Sequence, residues 1–364
     1  MHHHKSASFR LEHKAKGALW TKNNLDNNKT HQEHTMPSTK RLAAALVAPL
    51  AIATVSLLSL PVMAADRSEC IAPAKPGGGY DLTCRLAANG LLETGVIDSP
   101  MMVTYMPGGI GAVAYNHVIG VRSDDPNLIV AASTGAAVNL ALGKFGKFTA
   151  DDVRWVGALG VDYGAVVVNA DSPWQTLDEL MDDLKKHPSE IPFGAGGTIG
   201  SQDWMKAALI AKSIDVSPRK LRYVSFEGGG EALAALLGNH IKVYTGDLSE
   251  LQSQLSSGKI RVLAALSEER VPGAFADIPT ATEQGYDVTW PIWRGYYMGK
   301  DVSDADYNTW VERLKLLSEK PEFAKIREAR GLFPIQKFGP DFDQYVKAQI
   351  TDFKTLAQEV GLTQ

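Results

Sequence analysis

Six corners rich in glycine and small hydroxyl residues punctuate the chain: PGGGYD (76–81), MPGGIGA (106–112), STGA (133–136), GAGGTIGS (194–201), FEGGGEA (226–232) and YTGD (244–247). Each follows a run of strand character and stands at or before a run of helical character. Glycine in such a place permits a left-handed backbone and lets another molecule touch the main chain. A helix start adds unpaired N–H groups and a partial positive charge, which together hold anions. The chemistry on offer is the holding of a polar, negatively charged guest by amides and hydroxyls. In open α/β sheets such loops gather beyond the carboxyl ends of the strands.

The patterns of catalysis are missing. Past the first 64 residues the chain has three histidines, His117, His187 and His240, far apart and without a second ligand at metal spacing. Ser201 lies in IGSQD, which is not a nucleophile elbow. Gly146-Lys147 is followed by Phe148, so the phosphate-loop pattern fails. GAGGTIG (194–200) approaches a dinucleotide fingerprint, but its third glycine comes one position late and the strand before it is a stub containing Pro192. The doublets Asp151-Asp152, Asp182-Asp183 and Glu268-Glu269 read as solvated faces and helix ends. No cofactor and no metal are expected.

The elements that must position the corners alternate along the chain, the pattern of an α/β protein with largely parallel sheets. Strands are expected at 69–74, 101–105, 128–132, 154–159, 165–169, 221–226, 241–244 and 260–266. Helices are expected at 82–92, 112–121, 177–186, 202–214, 231–237 and 248–255. Thr176 with Glu179 forms a capping box before the third of these helices. From about Ala305 the chain is helical with polar surface, ending in a helix over 341–360.

The N-terminus reads differently. Residues 1–35 are polar and hold six of the nine histidines; they read as an unstructured or untranslated leader. From Met36 follow a basic pair, Lys40-Arg41, an uncharged apolar run over 42–60 and a small-x-small site at Val62-Met63-Ala64. Residues 36–64 thus read as a cleaved secretory signal peptide, with an uncleaved membrane anchor as the alternative. Taking 1–64 away removes eight of 37 basic and three of 41 acidic residues, leaving 29 against 38 and a formal charge of −9. Nucleic acid is excluded as a partner, since no basic stripe remains. An anionic ligand must be held locally. Export also puts Cys70 and Cys84, the two cysteines of the chain, where disulfides persist, with a free buried pair as the alternative.

PGGGYDLTCR (76–85) resembles the PGG-x-x-D-x-x-x-R signature of the Bug-type solute receptors of tripartite tricarboxylate transporters. The resemblance continues through MPGGIG (106–111), GGTIGS (196–201), FEGGGEALAALLGNHI (226–241), RVLAALSEER (261–270) and IPTATEQGYDV (278–288), covering most of residues 66–300. The paired cysteines and triple glycine look closest to the tricarboxylate-binding branch. The resemblance implies a two-lobed periplasmic binding protein of the type II, Venus-flytrap kind, with a parallel-rich sheet in each lobe. It places one lobe at 66–168 plus 291–364 and the other at 169–290. Hinge closure would bury a ligand in the cleft.

Carried over residue by residue, one pincer of that cleft is Gly78, Gly79, Tyr80 and Asp81, and the facing one is Phe226, Glu227, Gly228 and Gly229. Gly109, Ser133, Thr134, Thr198, Ser201 and Asp247 stand at the other corners. Asp81 has a second reading, a helix cap paired with Arg85 one turn on, and Tyr80 a second reading as lobe packing. Met106 and Glu227 depart from the family, which often has a polar residue and a lysine there. No arginine clamp is evident, so amides and hydroxyls must do the holding. A β-branched residue at Gly79 is expected to abolish binding while leaving thermal unfolding nearly unchanged. The resemblance implies a non-enzymatic receptor that carries a citrate-like tricarboxylate to inner-membrane permease subunits. A periplasmic enzyme on the same frame and a receptor docking on a sensor kinase are the alternatives.

Overall fold

The computed structural model describes residues 68–362. The expected leader (1–35) and the expected signal peptide (36–64) with its cleavage site lie outside the described residues. Among those described, no helix is long and apolar enough to cross a membrane.

The first three strands, β1 (Glu69–Ala72), β2 (Met102–Tyr105) and β3 (Leu128–Ser133), pair in parallel with β1 in the middle. Helices α1 (Gly79–Glu93), α2 (Ala112–Val121) and α3 (Thr134–Ala141) follow them in turn. A single 17-residue strand, β4 (Val153–Asn169), then leads to α4 (Leu177–Lys186), β5 (Pro192–Gly196), α5 (Gln202–Lys212), β6 (Arg222–Phe226) and α6 (Gly229–Leu237). β7 (Val243–Tyr244), α7 (Gln252–Ser256) and β8 (Ile260–Leu266) complete this part. The chain returns along β9 (Pro291–Gly299) and ends in α8 (Asp304–Glu319), α9 (Pro321–Glu328) and α10 (Pro340–Glu359).

The strand order is β2-β1-β3-β9-β4-β7-β5-β6, with β8 also paired to β4. β4 runs antiparallel to β9 from Val153 to Tyr163, then antiparallel to β8 from Gly164 to Asn169. One strand carries the chain out of the first half and its neighbour carries it back, so these two must be antiparallel. The parallel pairs β1–β2, β1–β3, β5–β6 and β5–β7 lie on either side of them. The result is the expected two-lobed α/β fold, parallel pairs flanking an antiparallel centre.

Alternation along the strands explains the packing on both faces. In β3, Ile129 and Ala131 face a core shared with α1, α8 and α9, whereas Leu128, Val130 and Ala132 face one shared with α2, α3 and α10. In the last part of β4, Val166 and Val168 meet α4 and α5, while Ala165 and Val167 meet α6 and the 248–251 turn. α4 buries Leu177, Leu180, Met181 and Leu184, the one-face spacing of an amphipathic helix. The Thr176 hydroxyl accepts from the Glu179 N–H, but the Glu179 carboxylate accepts from Gln175, one residue before the expected box partner.

The start of α1 is tied down twice. Cys70 of β1 and Cys84 of α1 form a disulfide, both side chains fully buried, and the Tyr296 hydroxyl of β9 donates to the Thr83 carbonyl at 2.7 Å. In the chain-entropy picture a loop of this length is worth about 3 kcal/mol. Replacing both cysteines by serine should therefore lower the unfolding free energy in urea by ~3 kcal/mol. An unchanged midpoint would show that the bond constrains nothing.

Candidate functional site

Two helices begin without a side-chain cap and face each other. Gly78 stands at the N-cap of α1 and Gly228 at that of α6, and neither has a side-chain oxygen to offer the first turn. Their approach is close: a Cβ built on Gly78 would lie 3.4 Å from the Gly229 nitrogen, and one on Gly230 would lie 3.1 Å from the Gly77 carbonyl. Gly77 turns the chain into α1 with φ +90, a conformation side chains rarely adopt, and its N–H donates to Asp81 at 2.9 Å. By contrast, α3 and α5 beside them are capped by their own serines, Ser133 accepting from Gly135 and Ser201 from Trp204. Orphan N–H groups thus converge from α1 and α6, where an anion can take them up.

Beneath this gap lies a buried charge network. Arg294 of β9, 1% exposed, donates to Asp162 of β4 and, at 2.8 Å, to Asp247. Lys206 of α5, fully buried, reaches Asp247 at 2.7 Å, Asp203 at 2.8 Å and the Gly246 carbonyl at 2.8 Å. Ser249 donates its hydroxyl to Asp162 at 2.5 Å. Burial raises the Asp162 carboxyl, and it raises Asp203 to about 6. Burial works the same way on Asp247, but Lys206 and Arg294 outweigh it and hold that carboxyl below its usual range. Two cations stand against three aspartates, so the cations are spent internally and the floor carries no surplus positive charge. Burial also lifts the Tyr80 hydroxyl to about 12, leaving it a neutral donor.

All six glycine corners meet here. An inner chamber with about 40 Å³ of room for water is lined by Gly78, Gly79, Tyr80, Ser133, Ser201, Glu227, Gly228, Gly229 and Asp247 among the expected residues. An outer pocket of about 470 Å³ shares Ile110, Asn139, Ser201 and Glu227 with it and adds Gly109, Thr198 and Phe226. Ile110 bridges the two with φ 45, unusual for a β-branched residue, its carbonyl held by the Asn139 amide at 3.0 Å. Asp81 and Thr134 line neither cavity. Asp81 accepts from Gly77, from Arg85 at 2.8 Å and from the Tyr105 hydroxyl at 2.8 Å, which is the capping alternative. The Thr134 hydroxyl donates to the Pro291 carbonyl and accepts from the Trp293 N–H at 3.1 Å, tying α3 to β9.

Several residues of the chamber wall escaped the sequence reading: Asn139, Gln202, Asp203, Glu250 and Arg294. Gln202 and Asp203 directly follow the noticed Ser201, and Glu250 lies three positions past Asp247, so extending each corner by one helical turn finds them. For Arg294 no local signal exists. An arginine is therefore present at the cleft, but Asp162 and Asp247 already engage it.

The family model of the tripartite tricarboxylate transporter family receptor matches residues 84–362. A UPF0065 protein of Bordetella pertussis is 23% identical over 293 residues, 80% of this chain and 88% of that protein. MatC from Rhodopseudomonas palustris, solved with bound malate, superposes with a TM-score of 0.71 at 19% identity, over 80% of this chain and 98% of its own. A second R. palustris protein, solved with adipate, gives 0.74 at 19% identity, over 81% and 97%.

The Gly79 expectation changes with this geometry, because a Cβ there would fall on the Arg294 guanidinium. Gly79→Val should cost about 1–3 kcal/mol of stability by overpacking, as well as binding; a melt identical to wild type would contradict the contact. Arg294→Met should cost about 3–5 kcal/mol by leaving Asp162 buried and unpaired. Adding Asp162→Asn should restore much of that loss, a coupling that urea unfolding of the double-mutant cycle measures; strictly additive losses would mean the pair is not coupled.

Proposed function

The chain belongs to the tripartite tricarboxylate transporter receptor family, and from that membership we propose that it captures a small carboxylate between its lobes and delivers it to an inner-membrane permease. The observation that carries this reading is the pair of uncapped helix starts, α1 and α6, that meet across one chamber. Backbone amides recognise a carboxylate without a paired cation in the site, which suits a floor whose cations are already neutralised. The lobes are taken as 66–168 plus 291–364 and 169–290, so that both crossings fall in the adjacent strands β4 and β9. Export through residues 36–64 would place the receptor in the periplasm, and the ligand leaves as it came, with no reaction.

The inner chamber suits one carboxylate head. Further carboxylates belong in the outer pocket, where Lys144 lines the wall and donates to the Ile199 carbonyl at 2.8 Å. Burial lowers the Lys144 amine, and a second anionic group beside it would offset that. This arrangement favours a citrate-like tricarboxylate, while the malate and adipate held by structural relatives make dicarboxylates the first competitors.

A thermal-shift screen of citrate, malate, adipate and acetate against the mature chain tests the reading. At a hundredfold excess over Kd, a bound carboxylate stabilises by about 2.7 kcal/mol and raises the midpoint by several degrees. Ligand recovered after incubation should be unchanged by NMR. No shift with any carboxylate would overturn the proposal; a shift with malate but none with citrate would overturn the tricarboxylate assignment.

A further inference from the structure

One side chain of the protein sits in the seat just assigned to the ligand's head. Glu250 rises from the 248–250 turn and accepts a hydrogen bond from the Tyr244 hydroxyl. Its carboxyl lies directly against the start of α6. A Cβ on Gly229 would fall 2.6 Å from the Glu250 Cδ and 2.7 Å from Oε1, and one on Gly78 would fall 3.6 Å from the same Oε1. A carboxyl group of the chain itself thus fills the space between the two uncapped helix starts, facing the inner chamber that it helps to line. Beside it Arg294, which also lines that chamber, keeps its buried Nε without a hydrogen-bond partner.

The surroundings decide what charge that carboxyl can carry. Asp247 faces it from its own loop, Tyr244 from β7, Asp203 from α5 and Arg294 from β9, and behind these Lys206 is paired with Asp203 and Asp162 with Arg294. On α1 the nearest acid, Asp81, is turned to Arg85, and on α6 Glu231 is paired with Lys75 at 3.1 Å. Burial lifts the Glu250 carboxyl to about 8; Asp247 and Asp203 add to the shift, and the Tyr244 bond and Arg294 oppose it. The two cations are taken by the three aspartates, so little remains to balance a fourth buried negative charge. A second carboxylate placed beside an ionised Glu250 would meet like charge at contact distance, which forces one of the two to hold a proton.

Resting on the carboxylate-receptor reading, we propose that Glu250 is the specificity-determining residue of this cleft, a resident carboxyl that competes for the ligand's seat and must carry a proton for a carboxylate to be captured. Protonated, it is a hydrogen-bond donor that shares the helix starts with the guest. Ionised, it occupies them itself. Above the pH at which Glu250 ionises, the proton comes from solvent on capture and returns on release; no bond of the ligand is made or broken. The receptor accordingly holds its guest more firmly in acid than in alkali.

Calorimetric titration of the mature protein with malate and with adipate between pH 7 and 9.5, where both ligands stay fully ionised, tests this. Wild-type affinity should be level near pH 7 and fall toward tenfold per pH unit above about 8, with proton uptake visible as a buffer-dependent heat. E250Q, checked for native folding by its melt, should give a level profile that exceeds wild type at least tenfold at pH 9.5. Wild-type affinity that stays level through pH 9.5, or an E250Q profile that falls in parallel with it, overturns the role of Glu250 while binding itself upholds the receptor. Absence of carboxylate binding in both proteins at every pH overturns the receptor reading and this inference with it.

Discussion

The contact on which the rest is built is the guanidinium of Arg294 lying between Asp162 and Asp247, with the backbone of Gly79 directly on top of it. Burying that many charges costs several kcal/mol per ion, and only close pairing recovers it. The pairing ties together β9, β4 and the loop after β7, and through Lys206 it adds α5. Those are the segments from which the two halves of the molecule approach each other. Because the start of α1 rests on Arg294, the network also sets the height at which its orphan N–H groups meet those of α6.

A division of labour follows. In the proposed receptor the buried charges form the frame, and mainly neutral groups do the recognition. Lys206 and Arg294 are neutralised before any guest arrives, so in the proposed receptor recognition falls to the amides of 78–79 and 228–229, the hydroxyls of Tyr80, Ser133 and Ser201, the carboxyl of Glu250 and, in the outer pocket, Lys144. Ser133 and Ser201 serve twice, since each also caps a helix. A hydroxyl already fixed by the backbone loses little further freedom on binding, a form of preorganisation. Lys75–Glu231 and Lys144–Ile199 clasp the rim from one half to the other.

Much of this was readable from the sequence, and the failures have physical causes. α2 and α4 have the expected bounds because apolar spacing and end signals agree there. β4 reads as two strands, since Gly157, Gly160 and Gly164 interrupt it. The folded chain uses those gaps for Phe338, Leu332 and the Lys206 stem, each within 3.2 Å of where a Cβ would be. β9 and α3 escaped notice: PIWRGYYMG mixes proline, glycine and arginine, and TGAAVNLA is short with a glycine in its first turn. The corners were found because glycine and serine announce themselves locally. Arg294, Lys206 and Glu250 were not, because a charge becomes informative only when burial and a distant partner are known.

The central claim is that amide nitrogens from both halves bind one guest together. Titrating ¹⁵N-labelled mature protein with citrate or malate and following the Gly79 and Gly229 amide resonances tests it most directly. Both signals should move downfield and saturate on a single curve, as amides do when they share an anion. Movement of one without the other, or saturation at different concentrations, would contradict the account.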